Sequence, residues 1–108
     1  DPLGHFLILG SGGIFAELID EVILLPIPVS AATIRSHLAT SKLGHLLNEM
    51  NRDDERPVLD QIVDIALTLQ RLTIKFDDKI EAIDINPVIV GSGRCLAVDA
   101  MIILKTEK

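Results

Sequence analysis

Two short apolar segments that flank a glycine-bearing turn constrain this chain more than any other feature. The segments IDINP (residues 83–87) and LAVD (residues 96–99) lie on either side of GSG (residues 91–93) and predict a β-hairpin. Because alternate strand residues share a face, Asp84 and Asn86 are predicted on one side and the isoleucines on the other. The hairpin therefore presents polar side chains among aliphatic neighbours.

The length of the turn decides which residues face each other. A two-residue loop at Ser92-Gly93 sets Asn86 directly opposite Asp99, and directly opposed residues share a face. A three-residue loop sets Asn86 opposite Val98 instead, with Asp99 on the diagonal or turned away. In the first register the oxygen-bearing side chains of Asp84, Asn86 and Asp99 converge.

Such a convergence has two interpretations. A hard cation such as Mg²⁺ binds through oxygen, usually one or two protein carboxylates together with waters and phosphates. The alternative is that Asp84 and Asn86 are polar residues on the wet face of an ordinary hairpin. The spacing by itself leaves both interpretations open.

Composition limits the classes of function. The 108 residues suffice for one domain, and 48% of them are hydrophobic, which supports a small core. A net charge of −6 and an aromatic content of 3% argue against nucleic-acid binding, which needs cationic surfaces and stacking platforms. One cysteine, Cys95, excludes an internal disulfide and fits a reducing compartment, so we expect a cytoplasmic protein.

The apolar runs are too short for a membrane span. The longest, residues 22–29, is broken by Pro26 and Pro28. The chain begins at Asp1 and enters an apolar strand almost at once, so we expect a piece of a longer polypeptide.

Hydrophobic periodicity predicts an α+β sandwich, with an antiparallel or mixed sheet and helices packed on one face. Strand-length runs occur at residues 5–9, 14–19 and 22–25, and the polar segment 48–56 is predicted to be a surface loop. Ser30 is a suitable N-cap for a helix from Ala31, and a short turn or helix follows at 43–47. Pro57 opens the strongest predicted helix, which ends near residues 73–76 and should lie across the sheet.

A glycine-rich stretch, GSGG at residues 10–13, raises the question of a phosphate loop. A P-loop requires Gly-Lys-Ser/Thr at its end, and no such lysine is present. A dinucleotide loop requires G-x-G-x-x-G, and Phe15 stands where its last glycine would be. The stretch is therefore interpreted as a tight turn.

Five segments in one order carry a resemblance to a known family. They are DP (residues 1–2), GSGGIFAE (10–17), LGHLL (43–47), DINP (84–87) and AVD (97–99). In this pattern the chain resembles the C-terminal part of the ATP-grasp domain of ADP-forming acyl-CoA synthetases of the acetate–CoA ligase type. The same domain occurs in related protein acetyltransferase fusions, and a more distant relative is the β subunit of succinyl-CoA synthetase.

The resemblance implies roles for three residues. Asn86 and Asp99 match the ligands of the Mg²⁺ that accompanies a bound ATP or ADP. Asp84 matches an acidic catalytic position near a phosphohistidine, which docks from a CoA-binding domain of the same or a partner chain. The implied reaction is phosphoryl transfer, in which a histidine exchanges a phosphoryl group with the nucleotide.

The chain also departs from the family pattern. The family usually has one additional residue, a Phe, before the glycine that matches Gly4, and residues 48–56 replace a second glycine-bearing stretch. The nucleotide-clamping lysines, the adenine-binding half and the CoA-binding domain would lie outside residues 1–108. We therefore expect a single-domain fragment that is not active alone. The alternative is a regulatory or assembly module that retains the fold, as in an acetyltransferase fusion, without catalysis.

Overall fold

The computed structural model describes residues 5–10, 21–85, 88–91, 93–97 and 100–106. Within these residues lie three antiparallel strand pairs, β1 with β2, β3 with β6, and β4 with β5, together with three helices. The elements in chain order are β1 (Phe6–Gly10), β2 (Val22–Pro26), α1 (Ala31–Ala39), α2 (Lys42–Asn48), α3 (Val58–Lys75), β3 (Ile80–Ile85), β4 (Val88–Gly91), β5 (Arg94–Ala97) and β6 (Ala100–Leu104). The predicted α+β class with antiparallel pairing is confirmed.

The β1–β2 pair has one buried and one exposed face. Leu7 pairs with Leu25, and both side chains are buried in the main core. Ile8 pairs with Leu24 on the opposite face, and both are exposed. The alternation in both strands follows from the period of two residues, so one face packs on the helices as predicted. The predicted strand at 14–19 and most of the glycine stretch lie outside the described residues.

The helix boundaries follow from local hydrogen bonds. The Ser30 hydroxyl accepts a hydrogen bond from the N–H of Thr33 at 3.1 Å, which confirms the predicted cap of α1. The Ser41 hydroxyl caps α2 by accepting from the N–H of Gly44 at 2.9 Å. Each cap satisfies a backbone donor that has no partner inside its helix.

Helix α3 supplies much of the core, as its periodicity predicts. Its Leu59, Val63 and Ala66 pack with Ile34 and Leu38 of α1, whose side chains are fully buried. These five side chains repeat at intervals of three or four residues within each helix, which places them on one stripe.

Helices α1 and α2 approach each other very closely at Gly44. A Cβ atom at this position would lie 1.8 Å from the backbone oxygen of Leu38. Only a residue without a side chain permits this approach. The Ser41 hydroxyl also donates to the Leu38 oxygen at 2.6 Å, so the corner between the helices is both tight and hydrogen-bonded.

Candidate active-site hairpin

The β4–β5 hairpin has the two-residue loop of the first predicted register. Gly91 pairs with Arg94, and the ladder continues to Val88 opposite Ala97. Gly93 has a φ of 73°, the positive value that a tight hairpin loop requires. The alternative three-residue loop is therefore wrong for the described strands.

The β3–β6 ladder follows the same register. Ile85 pairs with Ala100 and Asp84 with Met101. Counted along the sequence from the pairs of β4 and β5, these are the partners expected if no residue were inserted or skipped between the two ladders. The register shifts only farther along, between Ile80 and Ala82. Asn86 and Asp99, the predicted metal ligands, lie outside the described residues.

Asp84 lies on β3, with its side chain exposed between the less exposed Ile83 and Ile85. This alternation confirms the predicted facing of Asp84 and of the isoleucines on either side of it. The Asp84 side chain forms no hydrogen bond or ion pair with another described residue. Its carboxylate is therefore accessible to a ligand.

A residue that the sequence analysis did not single out connects the hairpin to α3. The side-chain oxygen of Gln61 accepts a hydrogen bond from the N–H of Cys95 at 2.9 Å. Its side-chain nitrogen donates to the carbonyl oxygens of Gly93 at 2.7 Å and Arg56 at 2.9 Å. No local sequence signal marks this contact, since a polar residue in the first turns of a helix is usually solvent-exposed.

The polar segment 48–56 is mostly exposed, as predicted, but it also contacts the turn. The carboxylate of Glu55 pairs with the guanidinium of Arg94 at 2.9 Å. The stem of Arg52 lies against Gly93, where an added Cβ would be 2.9 Å from the Arg52 Cβ. The hairpin therefore rests on this segment as well as on α3.

Cys95 lies on β5 with a half-buried side chain. Its thiol faces the carbonyl oxygen of Val58 at 3.7 Å, and burial raises the pKa of the thiol. A raised pKa leaves less thiolate at neutral pH, so this cysteine has no features of a nucleophile.

The described residues contain neither a metal-binding cluster nor a helix that could span a membrane. No group of three or more His, Cys, Asp or Glu side chains there could hold a metal ion. In the same part of the chain, no helix is long and apolar enough to cross a membrane.

Comparison with known protein families identifies the family to which this chain belongs. The sequence model of the family described as the ATP-grasp domain matches residues 1–104 of this chain. This chain belongs to the ATP-grasp family.

Relatives within the ATP-grasp family include ADP-forming acetate–CoA ligases. The chain is 36% identical to the β subunit of acetate–CoA ligase (ADP-forming) II from Pyrococcus furiosus, over 97% of the chain and 45% of that protein. It resembles a crystal structure from Pyrococcus horikoshii with a TM-score of 0.79 and 32% identity, over 99% of the chain and 46% of the other. The predicted resemblance to ADP-forming acyl-CoA synthetases is confirmed.

A further relative was solved with ligands. It is acetyl-CoA synthetase 1 of Ca. Korarchaeum cryptofilum, in complex with coenzyme A and Mg-AMPPCP, with its phosphohistidine segment pointing towards the nucleotide site. The TM-score is 0.74 at 31% identity, and the match covers 97% of this chain and 49% of that one. The ATP-grasp chain described here thus spans about half the length of the relatives it matches.

Proposed function

We propose that this chain is the C-terminal part of the ATP-grasp domain of an ADP-forming acyl-CoA synthetase, and that Asn86 and Asp99 hold the Mg²⁺ of the bound nucleotide. The observation that carries the proposal is the shared register of the two ladders. Ile85 opposite Ala100 and Val88 opposite Ala97 are the pairs expected on either side of Asn86 and Asp99 if these two residues face each other, which supports the proposal.

The donor set fits magnesium. An amide oxygen and a carboxylate are hard ligands, and Mg²⁺ is commonly held by one or two such groups while phosphates and waters complete its shell. When bound, Mg²⁺ neutralises charge on the phosphates during phosphoryl transfer. In this proposal Asn86 and Asp99 would hold the cation and so orient the nucleotide phosphates, and neither residue accepts the phosphoryl group.

Asp84 is proposed as the acidic group beside the incoming phosphohistidine. It lies two residues before Asn86, which places both on one face of a regular strand. Its exposed carboxylate, without an ion-pair partner among the described residues, supports a role toward a ligand. A carboxylate there can accept a hydrogen bond from the imidazole and hold the ring for transfer.

The proposal extends to partners. By likeness to the Korarchaeum complex, the nucleotide site is approached by a phosphohistidine segment of a CoA-binding domain, in the same or a partner chain. Because this chain spans about half of its relatives, we propose that the other residues of the nucleotide site lie outside residues 1–108 and that the chain alone is inactive. A free cysteine, Cys95, supports a cytoplasmic location.

The test replaces the two proposed ligands in the full-length protein. Asn86→Ala and Asp99→Ala should each raise the Mg²⁺ concentration needed for half-maximal nucleotide-dependent turnover by at least about tenfold. Asn48→Ala and Asp78→Ala, which remove the same groups from exposed positions elsewhere, are the matched controls and should leave it unchanged. Wild-type turnover and Mg²⁺ dependence in a variant that combines Asn86→Ala with Asp99→Ala would remove the metal role and favour a non-catalytic module.

A further inference from the structure

The outer edge of β5 is closed by a side chain instead of a strand. In an antiparallel hairpin with a two-residue loop, the Gly93 carbonyl and the Cys95 N–H point away from the partner strand. These are the two groups that a further strand would bind. Gln61 binds both of them, the carbonyl at 2.7 Å and the N–H at 2.9 Å.

A carboxamide is the side-chain group that matches this edge. It carries a donor and an acceptor on one planar group, as a peptide bond does. A carboxylate could accept from Cys95 but could not donate to Gly93, and an apolar side chain could do neither. The Gln61 amide also donates to the Arg56 carbonyl at 2.9 Å, so one side chain connects α3, the segment before it and the hairpin.

The edge of β5 that Gln61 binds is near one proposed ligand in sequence. Asp99 follows Cys95 by four residues, a distance of about 13 Å in an extended strand. In sequence, two residues separate Ile85 of β3 from Val88 of β4, and two separate Ala97 of β5 from Ala100 of β6. The first connection contains Asn86 and the second contains Asp99. Under the proposed function, a tilt of the hairpin relative to β3 and β6 would therefore change the separation of the two proposed ligands.

We propose that Gln61 is a positioning residue for the metal pair, because its hydrogen bonds to Gly93 in the turn and Cys95 in β5 fix the hairpin on α3, which also packs against β3. This inference rests on the proposed function of Asn86 and Asp99. The proposal assigns Gln61 no contact with the cation. It limits the angle between the hairpin and β3, and therefore the distance between the two ligand oxygens.

The chain offers a matched control on the same helix. The Gln70 side chain binds both polar backbone atoms of Val29, accepting from the N–H at 2.7 Å and donating to the carbonyl at 2.9 Å. It makes the same kind of two-point contact, but to the segment before α1 and not to the hairpin. Loss of either contact destabilises the fold, and only loss of the Gln61 contact should alter metal binding.

The experiment compares Gln61→Met with Gln70→Met in the full-length protein. Methionine keeps the length of the side chain and removes every hydrogen bond of the carboxamide without adding charge. The affinity for Mn²⁺ in the presence of ADP is measured from the electron paramagnetic resonance signal of free Mn²⁺, beside the Mg²⁺ dependence of turnover and the melting temperature. Residues that orient metal ligands directly change affinity by about 10–100-fold, and Gln61 acts one step farther out, so we expect a loss of about three- to tenfold.

The outcomes separate the two proposals. Weaker Mn²⁺ binding in Gln61→Met, with less than twofold change in Gln70→Met at a similar loss of melting temperature, supports the positioning role. Equal effects of the two variants, or no effect of Gln61→Met, would overturn it. Asn86→Ala and Asp99→Ala are run in parallel, and unchanged Mn²⁺ binding in these variants would overturn the proposed function itself.

A second variant, Gln61→Glu, tests the positioning role if Gln61→Met does not fold. Gln61→Glu keeps the acceptor for the Cys95 N–H and loses only the donor to the Gly93 and Arg56 carbonyls. The same weakening is expected from it, and a Mn²⁺ affinity equal to that of the wild type would contradict the positioning role.

Discussion

Gly91 and Arg94 are paired across a two-residue loop, which is among the tightest closures of an antiparallel hairpin. The loop depends on Gly93, whose φ of 73° lies in the left-handed region. A side chain there is disfavoured by its own backbone, and a Cβ would also lie 2.9 Å from atoms of the Arg52 side chain. The register of the whole hairpin therefore depends on one glycine.

We expect Gly93→Ala to lower the free energy of unfolding by about 1–2 kcal/mol, because alanine must adopt a positive φ. Urea denaturation followed by circular dichroism measures the change. Gly91→Ala is the matched control, since a Cβ there meets nothing within 4 Å, and its effect should stay below about 0.5 kcal/mol. Equal effects of the two substitutions would show that the loop conformation contributes little.

A larger loss is expected at the corner between α1 and α2. Gly44→Ala places a Cβ 1.8 Å from the Leu38 oxygen, and both groups belong to helix backbones that cannot yield locally. We expect a loss of about 3 kcal/mol, at the upper end for overpacked sites. In Gly10→Ala the nearest atom to the new Cβ is at 3.7 Å, so that variant is the control and should remain close to the wild type. A stable Gly44→Ala variant would contradict the close approach of the two helices.

The thiol of Cys95 gives a prediction about pH. Burial raises its pKa, so the native thiol holds its proton to a higher pH than the unfolded one. At pH 8 the native thiolate is therefore scarcer as well as less accessible, and alkylation by iodoacetamide should be at least about tenfold slower than in urea. Mass spectrometry of the labelled chain measures both rates, and equal rates would contradict the half-buried position.

Local chemistry narrows the hairpin to two registers. A period of two fixes the facing of Asp84, but the glycine-bearing turn admits a loop of two or three residues, and only the pairing of Gly91 with Arg94 decides between them. The Ser30 cap and the periodicity of α3 are local in the same sense. The pairing of Asn86 with Asp99 stays a prediction, since both residues lie outside the described ranges.

The contacts that hold the hairpin could not be predicted in this way. Gln61 and Cys95 are 34 residues apart, and Glu55 and Arg94 are 39 apart. Neither pair has a sequence pattern, because the match between a carboxamide and a strand edge exists only after α3 and β5 have packed. For the same reason, the sequence of segment 48–56 predicts a surface loop and gives no sign of its contacts with the hairpin.

Asp84 provides a test of catalysis that is separate from stability. Its side chain is exposed and has no ion-pair or hydrogen-bond partner among the described residues, so Asp84→Asn should leave the melting temperature within about 2 °C of the wild type. The amide keeps the shape of the carboxylate but loses the charge that would hold a phosphohistidine ring. We therefore expect turnover in the full-length protein to fall by at least about tenfold, measured as nucleotide-dependent acyl-CoA formation. Asp78→Asn, at an exposed turn before β3, is the matched control and should keep wild-type turnover. If Asp84→Asn turned over as fast as this control, Asp84 would be an ordinary surface residue of the hairpin, and the acid beside the histidine would have to come from elsewhere in the protein.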